Sequence, residues 1–461
     1  MASGQLNKGD FGNGSISRLI LSQAVPLTLA QLVQLLYNIV DRVYIGHMGA
    51  LDAGNALSGL GLCFPIITLV SAFVNWISMG ASPLCSMARG SGNMRKAQNI
   101  LSTAFSLEII VSIVLTVLVF AVKTPLLYLL GASDATYRYA AEYLGIYMLG
   151  TVFFAVSTGM NLFINLQGFP KTGMMITVTG TFINLLLDPL FIFVLHFGVK
   201  GAAIATVISQ FCSAAWVTAF LSNKKRELQI TTRSLRIVCR EVGNILTLGL
   251  PGFMISATTC SVQAVCNATL SVFGGDLYVG IMTVINSVRE LIILPVHGIT
   301  HGAQPILSYN YGAEKFDRVK AGIRFETLMA VFYTGIFWLS TLLLSGFYLG
   351  IFSSDKEMLS AGVIPMKIYF LGVVFMALQI AGQSTFTALG KAKQAVFCSV
   401  FRKIIIVIPL TLLLPRIPLF GIMGVFWAEP ISDLISGIVS YLYMYCTVYR
   451  KIGVETVRLS E

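Results

Sequence analysis

Twelve apolar runs, each longer than 20 residues, constrain this chain more than any single motif does. Roughly 20 such residues, rising 1.5 Å each as a helix, cross the ~30 Å hydrocarbon core of a bilayer. In the first half we place the runs at 17–45, 56–80, 97–122, 138–166, 172–195 and 200–222. In the second they fall at 243–272, 277–302, 319–350, 361–388, 395–415 and 420–447. Only 11% of residues are charged, against about 25% in a soluble domain. Alternation of the kind seen in barrel strands is absent, and runs such as Glu108 to Val122 and Phe332 to Ile351 fit helices. The expectation is an all-α membrane protein with twelve transmembrane helices. Residues 1–17 are polar and Gly-rich, without the apolar core of a cleavable signal peptide.

Charge sorts the loops. With the N-terminus inside, 23 Lys and Arg fall on the inner side and 7 on the outer, and Arg289 is left within a span. The excess of basic residues on one side predicts both termini in the cytoplasm and a multi-pass protein of the cell (inner) membrane. The net charge of +11 therefore reads as loop charge facing a lipid bilayer, with no nucleic-acid partner. The eight cysteines form no CxxC and mostly lie in apolar runs, as small hydrophobes. No disulfide or metal site is expected from them.

The two halves repeat. Gly80-Ala81-Ser82-Pro83 matches Gly302-Ala303-Gln304-Pro305 at a shift of 222, and Gly90 and Gly168 meet Gly312 and Gly390 at the same shift. Gly198, Gly201 and Ala205 meet Gly421, Gly424 and Ala428 at 223, and Pro26 meets Pro251 at 225. Six spans per half give both halves one topology, so the repeats are parallel. The expected organisation is an N-lobe at 1–222, a polar cytoplasmic linker at 223–241 and a C-lobe at 242–461. One chain supplies both halves, so a monomer suffices. Transporters built this way place the substrate path between the halves.

Polar residues inside the apolar runs mark candidate sites. Phe182 to Phe193 is almost wholly apolar yet carries Asn184 and Asp188, one helical turn apart, followed by Pro189. An intramembrane carboxylate is costly unless it meets a polar partner or water. Counted from the outer ends of their spans, Asp41 and Asp188 lie at a common depth of roughly 8–11 Å. Thr206 in span six shares that depth. Asp41, Asn184, Asp188 and Thr206 form a plausible constellation for a hard cation or a proton. The bland alternative pairs Asp41 with Arg42. Gln34, Asn38 and Asp41 share a face of span one, which also holds Gln31 and Tyr37, and that face is expected to line a cavity. Interhelical hydrogen bonding is the alternative for Gln31 and Gln34. Pro26 weakens the same helix and permits a bend. Asn161, by the same count, lies near the inner end of span four. Glu108, Arg289 and Glu290 are further buried charges. Arg289 needs its own partner, Glu429 or Asp433 in span twelve, and serves either an ion pair or a substrate contact. His297 and His301 are four apart but lack a third metal ligand.

The ordered set Pro26…Val40-Asp41-Arg42…Gly46…Gly49, Gly80-Ala81…Pro83…Gly90, Asn184-Leu-Leu-Leu-Asp188-Pro189 and Gly198…Gly201-Ala202-Ala203…Ala205-Thr206 resembles the multidrug and toxic compound extrusion (MATE) family. The resemblance covers essentially the whole chain. It implies two six-helix lobes forming a V-shaped cleft, and cation-coupled efflux of bulky, often cationic and aromatic compounds. It also implies the branch whose cation site lies in the N-lobe, with Asp41, Asn184, Asp188 and Thr206 matching that site and Asn161 a polar member of the same network. Acids that another branch carries in spans seven and ten are missing between Leu246 and Phe273 and between Pro365 and Lys391. The expected function is secondary antiport of small organic molecules against H⁺ or Na⁺, with no cofactor beyond the coupling ion. Alternatives are a flippase of lipid-linked precursors, disfavoured by Arg289 being the sole clear intramembrane cation, and a non-transporting receptor or scaffold. No constellation for enzymatic chemistry is evident.

Overall fold

A computed structural model describes residues 11–46, 53–231, 237–352 and 356–453, less the side chains of 38, 39, 42, 43, 45, 46, 53–57 and 276. Asn38 and Arg42 thus have no described side chains, and His47 and Gly49 lie outside the described residues. Each of the twelve expected spans is present. In the first half they are α1 (Ile16–Gly46), α2 (Ala53–Gly90), α3 (Met94–Leu129), α4 (Asp134–Leu149 and Thr151–Leu166), α5 (Pro170–Val194) and α6 (Val199–Leu221). In the second they are α7 (Cys239–Gly275), α8 (Leu277–Gly312), α9 (Phe316–Leu343), α10 (Lys356–Phe370 and Val373–Ala388), α11 (Ala392–Arg416) and α12 (Met423–Tyr449). α4 and α10, each fourth in its half, are both broken, by 54° and 42°. Between α7 and α8 the backbone turns at Gly275, whose φ of 66° suits a residue without a Cβ.

The burial pattern calls for lipid. On α9, Phe332, Ile336, Leu339 and Leu343 are exposed and recur at helical spacing, while Glu326, Thr334 and Thr341 are fully buried. Water would reverse that preference, whereas a hydrocarbon solvent favours it.

By packing, the chain divides into two compact units, one built on Leu29–Phe253, the other on Gly12–Thr28 and the chain from Met254 onward. Each switch falls two residues beyond a proline, Pro26 in α1 and Pro251 in α7, and the two points are related by the same shift of 225. The first helix of each half thus begins in the unit of the other half. Glycines permit this. In the first unit, a Cβ on Gly80 of α2 would lie 2.1 Å from the Ile245 carbonyl of α7, and one on Gly249 would lie 1.6 Å from the Trp76 carbonyl. In the second, a Cβ on Gly302 of α8 would lie 2.7 Å from the Ala24 amide of α1, and one on Gly298 would lie 1.9 Å from Thr28 Oγ1. Gly80 and Gly302 are the repeat-matched pair, and Ala24 and Gly249 match at 225. The repeated motif is therefore a site of close backbone approach.

The described part of the linker is not loose. The Arg226 guanidinium stacks on the rings of Phe169 and Phe220 at 4.3 and 3.9 Å. Leu228 is fully buried, and its amide donates to Gln167 Oε1. Arg89 pairs with Glu227, and Gln98 exchanges hydrogen bonds with the Gln229 backbone. Residues 223–231 are thereby fixed to the neighbouring ends of α2–α6.

Candidate functional site

α5 sets the site. Asn184 and Asp188 are both buried, and Asn184 Nδ2 donates to Asp188 Oδ1 at 2.9 Å. The second carboxylate oxygen, Asp188 Oδ2, is buried without a hydrogen-bond partner among the described residues. Pro189 supplies no amide, so the helical ladder loses a bond directly after Asp188. The chain continues as a wider π turn over Leu190–Val194, a distortion that often accompanies functional sites. Asp41 of α1 is buried, and its carboxylate lies within Coulombic reach of Asp188. Tyr37, one turn before Asp41, acts electrostatically on both carboxylates and reaches the Thr206 hydroxyl of α6. Thr206 Oγ1 donates to the Ala202 carbonyl at 2.9 Å.

The structure thus brings together Asp41, Asn184, Asp188, Thr206 and Tyr37. It adds two residues that the sequence reading missed. Tyr143 and Tyr147 of α4 stack with ring centroids 6.0 Å apart, Tyr143 facing Asp41 and Tyr37, Tyr147 facing Tyr37. Their spacing of four puts both on one face of an apolar helix, a signal that was available. Asn161 is placed elsewhere. Its amide donates to the Gly173 carbonyl at 3.1 Å and to Thr177 Oγ1 at 3.2 Å. Thr177 precedes Asn184 by seven residues, about 10 Å along α5. Gln34 is exposed on α1, and Pro26 lies within the helix, in the segment assigned to the other unit.

Glu108 of α3 is fully buried, with neither carboxylate oxygen hydrogen-bonded among the described residues. It fills the space that a side chain on Gly159 of α4 would need, since a Cβ there would lie 1.9 Å from Glu108 Oε1. Gly159→Ala should destabilise the protein by about 1–3 kcal/mol, the range for overpacking. Glu108→Ala in the same chain should recover part of that loss. Thermal unfolding of the two single variants and the double variant measures the coupling, and simple additivity would mean that the two positions do not share this space.

A second polar cluster lies in the C-terminal unit. Arg289 of α8 faces Glu429 of α12 at 3.7 Å, as the sequence allowed. Asp433 belongs instead to Arg402 of α11, at 2.6 Å, and Arg402 also holds Glu429 at 3.2 Å. Tyr369 donates to Glu429, and Gln379 accepts from Arg402. Glu290 is exposed. One expectation needs correction. Loop counting leaves Arg289 as the sole clear intramembrane cation and puts Arg402 and Lys403 on the inner side. Both residues lie inside α11, in a π-helical segment spanning Phe401–Val407. They stand between two apolar stretches, Ala395 to Phe401 and Ile404 to Leu410. His297 and His301 stack on each other at 5.6 Å.

Twelve spans in two repeats, with paired carboxylates buried among them, define a polytopic membrane transporter. The MatE family model matches residues 26–190 and again 251–413, and the chain belongs to that family. Over 453 residues it is 23% identical to the multidrug export protein MepA of Staphylococcus haemolyticus, with 98% of each chain covered. MepA of Staphylococcus saprophyticus is 22% identical over 94% of this chain and 95% of its own. Among solved structures, a MATE protein in a straight conformation superposes with a TM-score of 0.90 at 20% identity, covering 97% of this chain and 99% of the other. One in a bent conformation gives 0.89 at 20% identity, over 95% and 96%.

Proposed function

We propose that the protein is a secondary antiporter of the cell membrane, monomeric and with both termini cytoplasmic, exporting bulky organic compounds in exchange for H⁺ or Na⁺. Export of multiple compounds is the role named for the MepA relatives. The observation that carries the coupling is the Asp41–Asp188 pair, buried in an apolar unit with Asp188 Oδ2 left without a hydrogen-bond partner among the described residues. Two carboxylates with Asn184, Tyr37 and Thr206 beside them offer the oxygen donors that a hard cation needs, and equally the acceptors that a proton needs. Ion entry from outside neutralises the pair. α1 then adjusts at Pro26, where the helix lacks one backbone bond, and releases cargo. Each positive charge moved inward at 100 mV contributes about 2.3 kcal/mol, or roughly a 50-fold gradient of cargo.

Purified protein in proteoliposomes should move a fluorescent cationic dye when a pH gradient or a Na⁺ gradient is imposed, and should not move it when neither is present. Active transport indifferent to both gradients would refute ion coupling. The flippase reading regains some weight from Arg402 and Lys403, which add cations to the membrane interior. Dye transport without movement of a lipid-linked pyrophosphate would dismiss it.

A further inference from the structure

The third helix of each half carries a buried carboxyl that the coupling site leaves unused. Glu108 of α3 and Glu326 of α9 are fully buried, and both oxygens of each are without a hydrogen-bond partner among the described residues. No ion pair engages either carboxyl among those residues. Of the basic residues on neighbouring helices, Arg89 pairs with Glu227 and Arg289 faces Glu429. Glu108 meets burial alone, and Glu326 meets burial and the Ser384 hydroxyl of α10; no charged group acts on either among the described residues. A carboxylate ion so placed would lack everything that stabilises it, so each group is neutral and holds a proton.

The repeat relates the two. At the shift of 222 that joins Gly90 to Gly312, Glu108 falls on Ala330 and Glu326 on Ala104, and both alanines are fully buried. Each third helix thus carries a Glu and an Ala one turn apart, in opposite order. What each acid meets on the fourth helix shifts by a turn as well. Glu108 fills the space beside Gly159 of α4, whereas Glu326 lies beside Ser384, which matches Leu162, three residues beyond Gly159. Packing does not require the acid, because alanine fills the matched position in the other half. An intramembrane acid that packing does not require points to function.

The helices that cover these acids are the two that break. Gly150 and Gly372, at the breaks of 54° and 42° in α4 and α10, also match at 222. The segment beyond each break does the covering: Thr151–Gly159 carries Gly159, and Val373–Ala388 carries Ser384. α4 is interrupted again at Met160, directly after Gly159. At the break itself the Met148 carbonyl accepts from Thr116 Oγ1 at 2.9 Å, about two turns along α3 from Glu108. Each covering segment is therefore joined to the rest of its helix by a bend, about which it can change angle as a unit.

We propose that Glu108 and Glu326 are proton-exchange sites, one in each half, each closed by the segment of the fourth helix beyond its break. With the segment in place the carboxyl keeps its proton. When the segment changes angle at Gly150 or Gly372 and admits water, the O–H bond breaks, the proton passes to water, and the carboxylate stays solvated until a proton returns and the segment closes. The sites rest on the antiport reading and deepen it: the proton is a coupling ion, and the protons exchanged exceed those of the Asp41–Asp188 pair.

The test is the limiting dye gradient that proteoliposomes reach under an imposed gradient of one pH unit, with the membrane potential clamped at zero. Each proton exchanged per dye multiplies that limit about tenfold. Glu108→Gln and Glu326→Gln keep the shape of the side chain and remove its proton exchange, so each should lower the limit about tenfold. A merely structural role would slow the approach to the limit and leave the limit where it was. Glu108→Ala and Glu326→Ala copy the residue that the other half holds, and give the same readout where a glutamine variant does not fold. In protein carrying Asp41→Asn and Asp188→Asn, the infrared C=O stretch of a protonated carboxyl should persist at neutral pH, and its absence overturns the proposal. An unchanged limit in a variant strikes the site of that half and leaves proton antiport to Asp41 and Asp188. A native dye gradient formed under Na⁺ alone strikes both sites and leaves antiport standing. No native gradient under either ion overturns the sites and the antiport reading together.

Discussion

Asp188→Asn should abolish gradient-driven efflux while leaving the protein folded. The substitution preserves shape, and the new amide oxygen can still accept from Asn184 Nδ2, the bond measured at 2.9 Å in the native site. What disappears is the charge. Removing one carboxylate from a buried pair whose members repel each other when ionised relieves an electrostatic cost rather than adding one. Thermal stability in detergent should therefore be unchanged or slightly raised. Transport should fall at least tenfold, to the rate of passive leak, because the remaining Asp41 has no second carboxylate with which to hold an entering cation. Asp41→Asn should act in the same direction, and the double variant should be no worse than either single one, since residues acting as a unit are not additive. Cargo binding separates coupling from cargo recognition: dye affinity should persist in Asp188→Asn. Efflux at the native rate would show that Asp188 is not the coupling group. A loss of dye binding equal to the loss of transport would make it a cargo contact instead.

Much of this site was legible because intramembrane polarity is rare. Asn184 and Asp188 stand out in an apolar run, and their spacing of four fixes a shared face. Counting 1.5 Å per residue from the span ends puts Asp41 and Thr206 at the level of Asp188. Tyr143 and Tyr147 were passed over because an aromatic residue in a membrane span reads as ordinary apolar filling until its neighbours are known. The C-terminal cluster was misread for a different reason. Arg402 and Lys403 lie ten and eleven residues beyond the start of α11 at Ala392, in mid-span, yet a count of basic residues by side assigns two adjacent cations to the nearest loop. Only tertiary placement shows that two acids on α12 and the glutamines of α10 are there to receive Arg402. The break in α4 at Gly150 likewise followed from no local signal as strong as proline.

The glycine crossings should prove more sensitive to substitution than the coupling site. The repeat Gly80-Ala81 and Gly302-Ala303 was visible in the sequence, but not the helix that each glycine meets. The helix is α7 for Gly80 and α1 for Gly302, each the first helix of the other half. At Gly80 a methyl group would lie 2.1 Å from the Ile245 carbonyl oxygen, and at Gly249 1.6 Å from that of Trp76. Both obstacles are backbone, so no rotamer change relieves them. The helices would have to separate, breaking the Trp76 Nε1 donation to the Leu246 carbonyl at 2.7 Å and the packing of Phe73 and Trp76 on Phe253. Gly80→Leu and Gly249→Leu should each cost well above the ~1–3 kcal/mol of ordinary overpacking, enough that little monodisperse protein survives extraction. Gly302→Leu should do the same in the second unit, where the obstacle is the Ala24 backbone. Gly243, on α7 like Gly249, has nothing within 4 Å of its would-be Cβ and serves as the control. Gly243→Ala should be neutral or mildly stabilising, because alanine is the better helix former by about 1 kcal/mol. Size-exclusion profiles of fluorescently tagged variants measure this directly. If Gly80→Leu and Gly243→Ala gave equal yields, the close approach of α2 and α7 would not be what holds the start of α7 in the first unit. If only the crossing variants are lost, the repeated glycines are the reason that each half can lend the first turns of its first helix to the other.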